Sequence, residues 1–362
     1  MKALCIYAGP QAKEHLQHHG LSATDVGVIP AAAGGPKGLI LGPMDRFLFN
    51  EWLPTSQHAI DLVGASIGAW RMATACMPES QAGLLRLEHD YIHQHYELRP
   101  GEKSPGAKQV SDSFRESLDR FYTGHIDALL MHPRFRLHVV TSRGKGLLKR
   151  EHAVWSALGY GLAFLSNVLS RQAMGTLLER VVFSSAGDLP FSTHDYATRQ
   201  LSLNPNNFMD VLQASCAIPF VLKAVHDIPG APPGAYWDGG ITDYHLHLAW
   251  TGWATTSSGK SKLVLYPHFQ KAVIPGWRDK QLKWRHKATS FLGNTIVLAP
   301  HPDWVKTLPN GKLPDRHDFV TYGQSWQSRA KVWQLACAAS QQLADEFSAW
   351  LERPDMSLVQ DL

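Results

Sequence analysis

Near its start the chain runs twice through the same pattern: an apolar stretch, a glycine break, then residues with helical spacing. Asp25 to Ala33 is an apolar run of strand length. It gives way to Gly34-Gly35-Pro36-Lys37-Gly38, after which Leu39, Ile40, Phe47 and Leu48 recur at helical intervals up to Trp52. His58 to Val63 is a second strand-like run, followed by Gly64 and by helix-forming residues from Ala69 to Cys76. Two strand–loop–helix units in succession predict an α/β fold with a central, mostly parallel sheet, because parallel neighbours need a crossover segment between them.

The remaining pattern fills in around this unit. Met1 to Ala8 reads as a first strand or coil, and Ala12 to His19 as a short helix ending at Gly20. Gln81 to Leu130 is polar and helical in pattern, interrupted from Pro100 to Gly106, which suggests a helical insertion or cap over residues 81–130. Phe135 to Thr141 and Arg180 to Ser184 are expected strands on either side of a helical region, Ala153 to Leu178. Asn207 to Cys216 reads as a helix broken at Pro219. Val221 to His226, Lys262 to Tyr266 and Thr295 to Leu298 read as strands, and Trp326 to Leu351 as a closing helix. The organisation expected is one domain over residues 1–362, with 25–244 as catalytic core and 245–362 as a C-terminal extension packed on it.

Composition narrows the class. At 362 residues, with 44% hydrophobic and 18% charged positions, the chain can bury a large core, and its net charge is only +4. The four cysteines form no C-x-x-C pair, which argues against a disulfide framework or zinc site and for a reducing cytoplasm. The N-terminal apolar run stops at Gly9-Pro10, unlike a signal peptide. The longest apolar stretch, Ala153 to Leu169, falls short of the ~20 residues of a membrane span.

Candidate chemistry centres on Gly64-Ala65-Ser66-Ile67-Gly68, a Gly-x-Ser-x-Gly segment between a strand and a helix. A sharp turn there would hold Ser66 in a strained conformation at the tip, with Gly64 and Gly68 removing side chains that would collide. The Gly34 to Gly38 loop also lies at a strand-to-helix junction, where backbone N–H groups can face an anion. A phosphate-binding P-loop would need Ser or Thr after the lysine, whereas Gly38 follows Lys37; an oxyanion hole or a plain tight turn remains. Downstream come Ala214-Ser215-Cys216-Ala217-Ile218-Pro219 and Asp238-Gly239-Gly240, the latter by itself usually just a turn.

The four blocks in this order, spanning about Asp25 to Tyr244, resemble the patatin-like phospholipase family. The resemblance implies a three-layer α/β fold and a Ser-Asp dyad, with Ser66 as nucleophile and Asp238 as its base. It further implies an oxyanion hole from the backbone of Gly34, Gly35, Lys37 and Gly38, with Ile67 as a further donor, and Gly239 and Gly240 shaping the turn after the base. Lys37 stands where family members commonly carry Arg or Lys. Pro36 is a departure, since proline has no N–H to donate. The implied activity is hydrolysis of fatty acyl esters of phospholipids or related lipids through an acyl-enzyme, with no metal or cofactor. A soluble carboxylesterase, thioesterase or transacylase with the same dyad, or a non-catalytic lipid-binding scaffold, is the alternative.

Two further patterns bear on partners. The 19 histidines allow a Ser-His-Asp triad through His245, His247, His268 or His301, although the glycine loop and Asp-Gly-Gly favour the dyad. The pairs His89/His93 and His245/His247 have metal-ligand spacing but no third ligand, so no metal is expected. Lys271 to Lys287 carries six basic residues interleaved with Trp277 and Trp284, which suits peripheral contact with an anionic membrane surface or a solvated basic face. A lipid or acyl-ester substrate is the expected partner and nucleic acid is not. The expected location is cytoplasmic, and on the membrane-contact reading of the basic run it is peripheral at the inner face of the membrane.

Overall fold

A computed structural model describes residues 1–98, 101–102, 104–251 and 263–362. Lys262 of the expected strand, and Pro100 and Lys103 of the expected interruption, lie outside the described residues. The strands are β1 (Leu4–Ala8), β2 (Val26–Ala31), β3 (Ile60–Ala65), β4 (Phe135–Gly144), β5 (Leu178–Ser184), β6 (Thr198–Ser202), β7 (Val225–His226), β8 (Ala235–Asp238), β9 (Leu263–Pro267), β10 (Thr295–Pro300) and β11 (Val359–Asp361). They form one sheet in the order β11-β1-β10-β9-β2-β3-β4-β5-β6, and β8 branches from β4 to pair with β7.

The middle of the sheet, β10-β9-β2-β3-β4, is parallel throughout, and β1 and β5 join it antiparallel on either side. Every residue of β2, β3, β9 and β10 is buried, as parallel strands flanked by helices require. The two strand–loop–helix units of the sequence pattern lie side by side, with Ile29 opposite Leu62. A buried fork from Arg71 to Asp45, at 2.6 and 2.7 Å, ties the helix after one loop to the helix after the other.

Several elements differ from the sequence pattern. Residues 245–362 supply β9, β10 and β11 to the sheet, so this segment is part of the core, with β9 and β10 seated between β1 and β2. The helices Ser80–His93 and Ala107–Tyr122 also join the core, burying Leu84, Leu87, Phe114, Leu118, Phe121 and Tyr122. Their polar character belongs to an outer face, as the strong one-sided patterning of Ala107–Tyr122 requires. Of Val221 to His226 only Val225–His226 is strand; the chain turns at Phe220, whose φ is +69°. The closing helix is two, Trp326–Ala339 and Gln341–Glu352, divided at Ser340, whose Oγ bonds the carbonyl of Cys337.

Candidate active site

Ser66 sits between the end of β3 and the helix Ile67–Ala75 with φ +57° and ψ −129°. A non-glycine residue in this region costs about 1–3 kcal/mol, and the surroundings must hold it there. Close approach explains the flanking glycines: a Cβ on Gly68 would lie 1.9 Å from the carbonyl oxygen of Ala31, and one on Gly64 2.5 Å from Cα of Ala69. The Ser66 N–H donates to Ser215 Oγ at 3.0 Å, and Ser215 Oγ donates onward to the carbonyl of Val140 at 2.7 Å.

Asp238 ends β8 directly opposite Thr141 of β4, the strand beside β3. That register carries its carboxylate to Ser66 across 172 residues of sequence, and Ser66 Oγ donates to Asp238 Oδ2 at 2.7 Å. The other oxygen, Oδ1, accepts the N–H of Gly240 at 2.7 Å, which fixes the rotamer. Gly239 passes so close to β4 that a Cβ there would meet the Val140 oxygen at 2.1 Å. The backbone N–H of Asp238 is taken by the carbonyl of Ala217. The Ala214 to Pro219 block therefore braces both residues, Ser66 through Ser215 and Asp238 through Ala217. Behind the turn, the buried Arg180 forks onto Asp243 at 2.8 and 2.6 Å. Burial raises the pKa of Asp238 above the ordinary carboxylate value, against the opposing pull of Arg316, the Ser66 and Gly240 hydrogen bonds, and Lys280.

The glycine loop opens a 3-10 helix, Gly35–Leu41, with Gly34 as its cap and Gly35 at φ +57°. In such a helix the capping carbonyl accepts from the N–H three residues on, so the Lys37 and Gly38 N–H groups are spent within the ladder. The Ala33 N–H goes to the carbonyl of Tyr244. Pro36 has no N–H, while Gly34 and Gly35 each carry one at the start of the loop. The Ile67 N–H lies in the first turn of its helix, where backbone N–H groups have no intrahelical partner.

Two cavities, the limbs of a cleft, share Trp277 and Lys280 in their linings, and Ser66 is in neither lining. One, of about 270 Å³, is the more polar, with Gly34, Lys37, Asp238, Gly240 and Arg316 in its lining. The other, of about 350 Å³, is largely aromatic and apolar, with Tyr160, Phe164, Phe220 and Ile241. Arg316 was not marked by any sequence motif; it reaches the cleft from the far end of the chain. Lys280 was legible only as part of a basic run.

No family model matches the chain, and no curated protein matches it by sequence. Among solved structures, VipD from Legionella pneumophila aligns over 89% of this chain and 67% of its own, at 14% identity and a TM-score of 0.39. Human GIVD cytosolic phospholipase A2 aligns over 96% of this chain at 12% identity and a TM-score of 0.30, and the chain spans 62% of its length. Likenesses this slight decide nothing about the site.

The candidate histidines stand apart from Ser66 and Asp238. His245 Nδ1 accepts the N–H of Ile274, His247 bonds the carbonyl of Val273 and Thr289 Oγ1, His268 bonds the backbone of Gln270, and His301 caps the helix Pro302–Thr307. Burial drives the pKa of His245 well below its usual range and that of His268 to about 3, so both are neutral. Among the described residues no histidine bonds Ser66 or Asp238. His89, exposed, and His93, half-buried, pack with ring centroids 4.2 Å apart and planes tilted by 32°.

The basic run from Lys271 to Lys287 divides between two surroundings. Arg278 lies over the Tyr160 ring and Lys280 over Tyr244, both lining the cleft, while Arg285 pairs with the buried Asp279 at 2.9 Å. Lys271, Lys283, Trp284 and Lys287 are exposed, as is Lys280 even where it lines the cleft.

Proposed function

We propose that the chain is a serine acyl hydrolase that cleaves fatty acyl esters of lipids, phospholipids among them, using Ser66 as nucleophile and Asp238 as its base. The observation that carries this reading is the 2.7 Å hydrogen bond from Ser66 Oγ to Asp238 Oδ2 on a strained strand-to-helix elbow. A hydroxyl held off its relaxed backbone conformation, bonded to a carboxylate whose proton affinity burial has raised, is a nucleophile with its base in place.

In the first half-reaction Ser66 Oγ attacks the ester carbonyl carbon as its proton passes to Asp238 Oδ2. The oxyanion that forms is stabilised by the N–H groups of Gly34, Gly35 and Ile67. Collapse expels the alcohol, which takes the proton from Asp238 and leaves an acyl group on Ser66 Oγ. Water then attacks the acyl carbon and gives a proton to Asp238; the carboxylic acid departs and the proton returns to Oγ. Direct transfer to a carboxylate needs a strong contribution from oxyanion stabilisation, which makes the glycine loop as important as the base.

The aromatic limb supports a lipid acyl chain as the substrate's apolar part. Leu158, Leu162 and Leu165, which are 48%, 40% and 61% exposed, form one stripe along the helix Ala153–Leu169, whose Tyr160 and Phe164 line that limb. Phe220, at the limb's rim, is 65% exposed. The exposed Lys283, Trp284 and Lys287 flank Arg285, which donates to the Val168 carbonyl at 3.3 Å near the end of that helix, and this face suits docking on an anionic lipid surface. Among the described residues no helix is long and apolar enough to cross a membrane.

The test is covalent labelling with a fluorophosphonate followed by intact mass. The native protein should gain one adduct, Ser66→Ala none, and Asp238→Asn should label far more slowly. Equal labelling of Ser66→Ala and the native protein would end the proposal.

A further inference from the structure

Three cations converge on the polar limb of the cleft, each from a different element. Lys37 comes from the 3-10 helix Gly35–Leu41, Lys280 from the 3-10 turn Trp277–Gln281, and Arg316 from the residue capping the helix His317–Tyr322. All three line the cavity that holds Asp238 and Gly240. The Lys280 ammonium stands 3.9 Å from the centroid of Tyr244. The Arg316 guanidinium lies against the glycine loop, where a Cβ on Gly35 would be 3.1 Å from Arg316 Nε.

Two carboxylates, Asp238 and Asp315, share the lining with the three cations, and each has partners of its own. Asp315 bonds Lys312 at 2.8 Å, Asp279 bonds Arg285 and Arg171, and Asp238 is held by Ser66 and Gly240. Among the described residues, Lys37, Lys280 and Arg316 form no ion pair with a carboxylate. Lys280 also feels its neighbours: crowding by protein atoms, then Arg316 and then Lys37 push its pKa down to about 7, with Asp238 opposing. Lys280 and Arg316 are exposed and Lys37 is half-buried, so solvent screens part of their mutual repulsion, and an anion seated among the three relieves what remains.

We propose that Lys280 and Arg316, together with Lys37, form a seat for an anionic oxygen group of the substrate, a phosphate or carboxylate, within reach of the scissile ester. The inference rests on the acyl hydrolase reading of Ser66 and Asp238 and adds the class of ester: one that carries negative charge close to the acyl linkage. Arg316 supplies the planar fork suited to a phosphate or carboxylate, and the two lysines act as point charges. Lys37 lies inside the stretch that carries the family resemblance, whereas Lys280 and Arg316 lie beyond Tyr244, so two of the three cations come from this chain's C-terminal part.

The experiment uses the full chain and compares native protein with Lys280→Met, Arg316→Met and Lys280→Arg. The substrates are monomeric lysophosphatidate and a monoacylglycerol of the same acyl chain. Expected is a fall of about 10-fold or more in the anionic-to-neutral ratio of kcat/KM for each methionine variant, with Lys280→Arg retaining most of it. A ratio that stays constant, whether both activities fall together or neither does, would overturn the proposal.

Binding of the ether-linked analogue of lysophosphatidate, which cannot be hydrolysed, is measured by calorimetry on the same proteins. Loss of that binding in the methionine variants upholds the seat even if Ser66 fails to label, which separates it from the hydrolase reading. Equal binding by native and variant proteins overturns it. Displacement of the analogue by millimolar inorganic phosphate would identify phosphate itself as sufficient; lack of displacement would identify phosphate carried on a lipid.

Discussion

Ser215 Oγ accepts the backbone N–H of Ser66 at 3.0 Å while donating to the Val140 carbonyl at 2.7 Å, and by this relay a helix side chain holds the strained elbow against the sheet. Both residues are buried, so neither hydrogen bond can be replaced by solvent without opening the structure. Ser215 is fully buried and lines neither limb of the cleft. It is a positioning residue, and its worth lies in keeping Ser66 at φ +57°.

Ser215→Ala should therefore cost stability and activity together. Leaving the Ser66 N–H and the Val140 carbonyl unpaired in the core is expected to cost about 1–3 kcal/mol, read as a lowered denaturant midpoint. Hydrolysis of a neutral short-chain ester should fall mainly in kcat, because the elbow relaxes while the cleft walls stay. An unaltered kcat with only a lower midpoint would make Ser215 purely structural.

Burial of Asp238 predicts a pH signature. Its folded pKa lies above its unfolded value of about 3.9, so the acid limb of kcat/KM should fall above the usual carboxylate range. The stability sign follows from linkage: between the unfolded and folded pKa values the native state binds more protons, so this group's contribution to stability declines as pH rises through that window. Asp238→Asn should then melt above the native protein at pH 8, with the gap narrowing as pH falls toward the carboxylate range. The same variant should lose about 10²–10⁴-fold in kcat. A gap that widens on acidification would contradict the assignment.

Charge on the leucine stripe should separate lipid docking from chemistry. Leu158→Asp combined with Leu165→Asp places two anions on the face assigned to an anionic surface. Flotation with phosphatidylglycerol vesicles should lose the protein from the lipid fraction, and the ratio of vesicle to short-chain ester hydrolysis should fall about 10-fold or more, since each change removes apolar contact and adds repulsion. Retained flotation would move the docking face elsewhere; a shift in oligomeric state would assign the stripe to a second copy of the chain.

What the sequence determined by itself was local. The strand–glycine–helix alternation from Asp25 to Cys76 required two adjacent parallel strands, β2 and β3, and the Gly-x-Ser-x-Gly segment required a tight turn with Ser66 at its tip, because these follow from backbone sterics and short-range periodicity. The Asp238-Gly239-Gly240 turn was visible as a turn for the same reason. Its meeting with Ser66 was not, since that depends on β8 branching onto β4 with Asp238 opposite Thr141, a pairing register that no local pattern encodes. Helical periodicity in residues 81–130 showed helices but not that their apolar faces complete the core, nor did the apolar runs of β9 and β10 reveal a place between β1 and β2. Lys280 and Arg316, 36 residues apart and set on separate turns, share a cleft with Asp238 only because the chain returns to it. Burial and electrostatics depend on neighbours in space, and long-range packing alone supplies those neighbours.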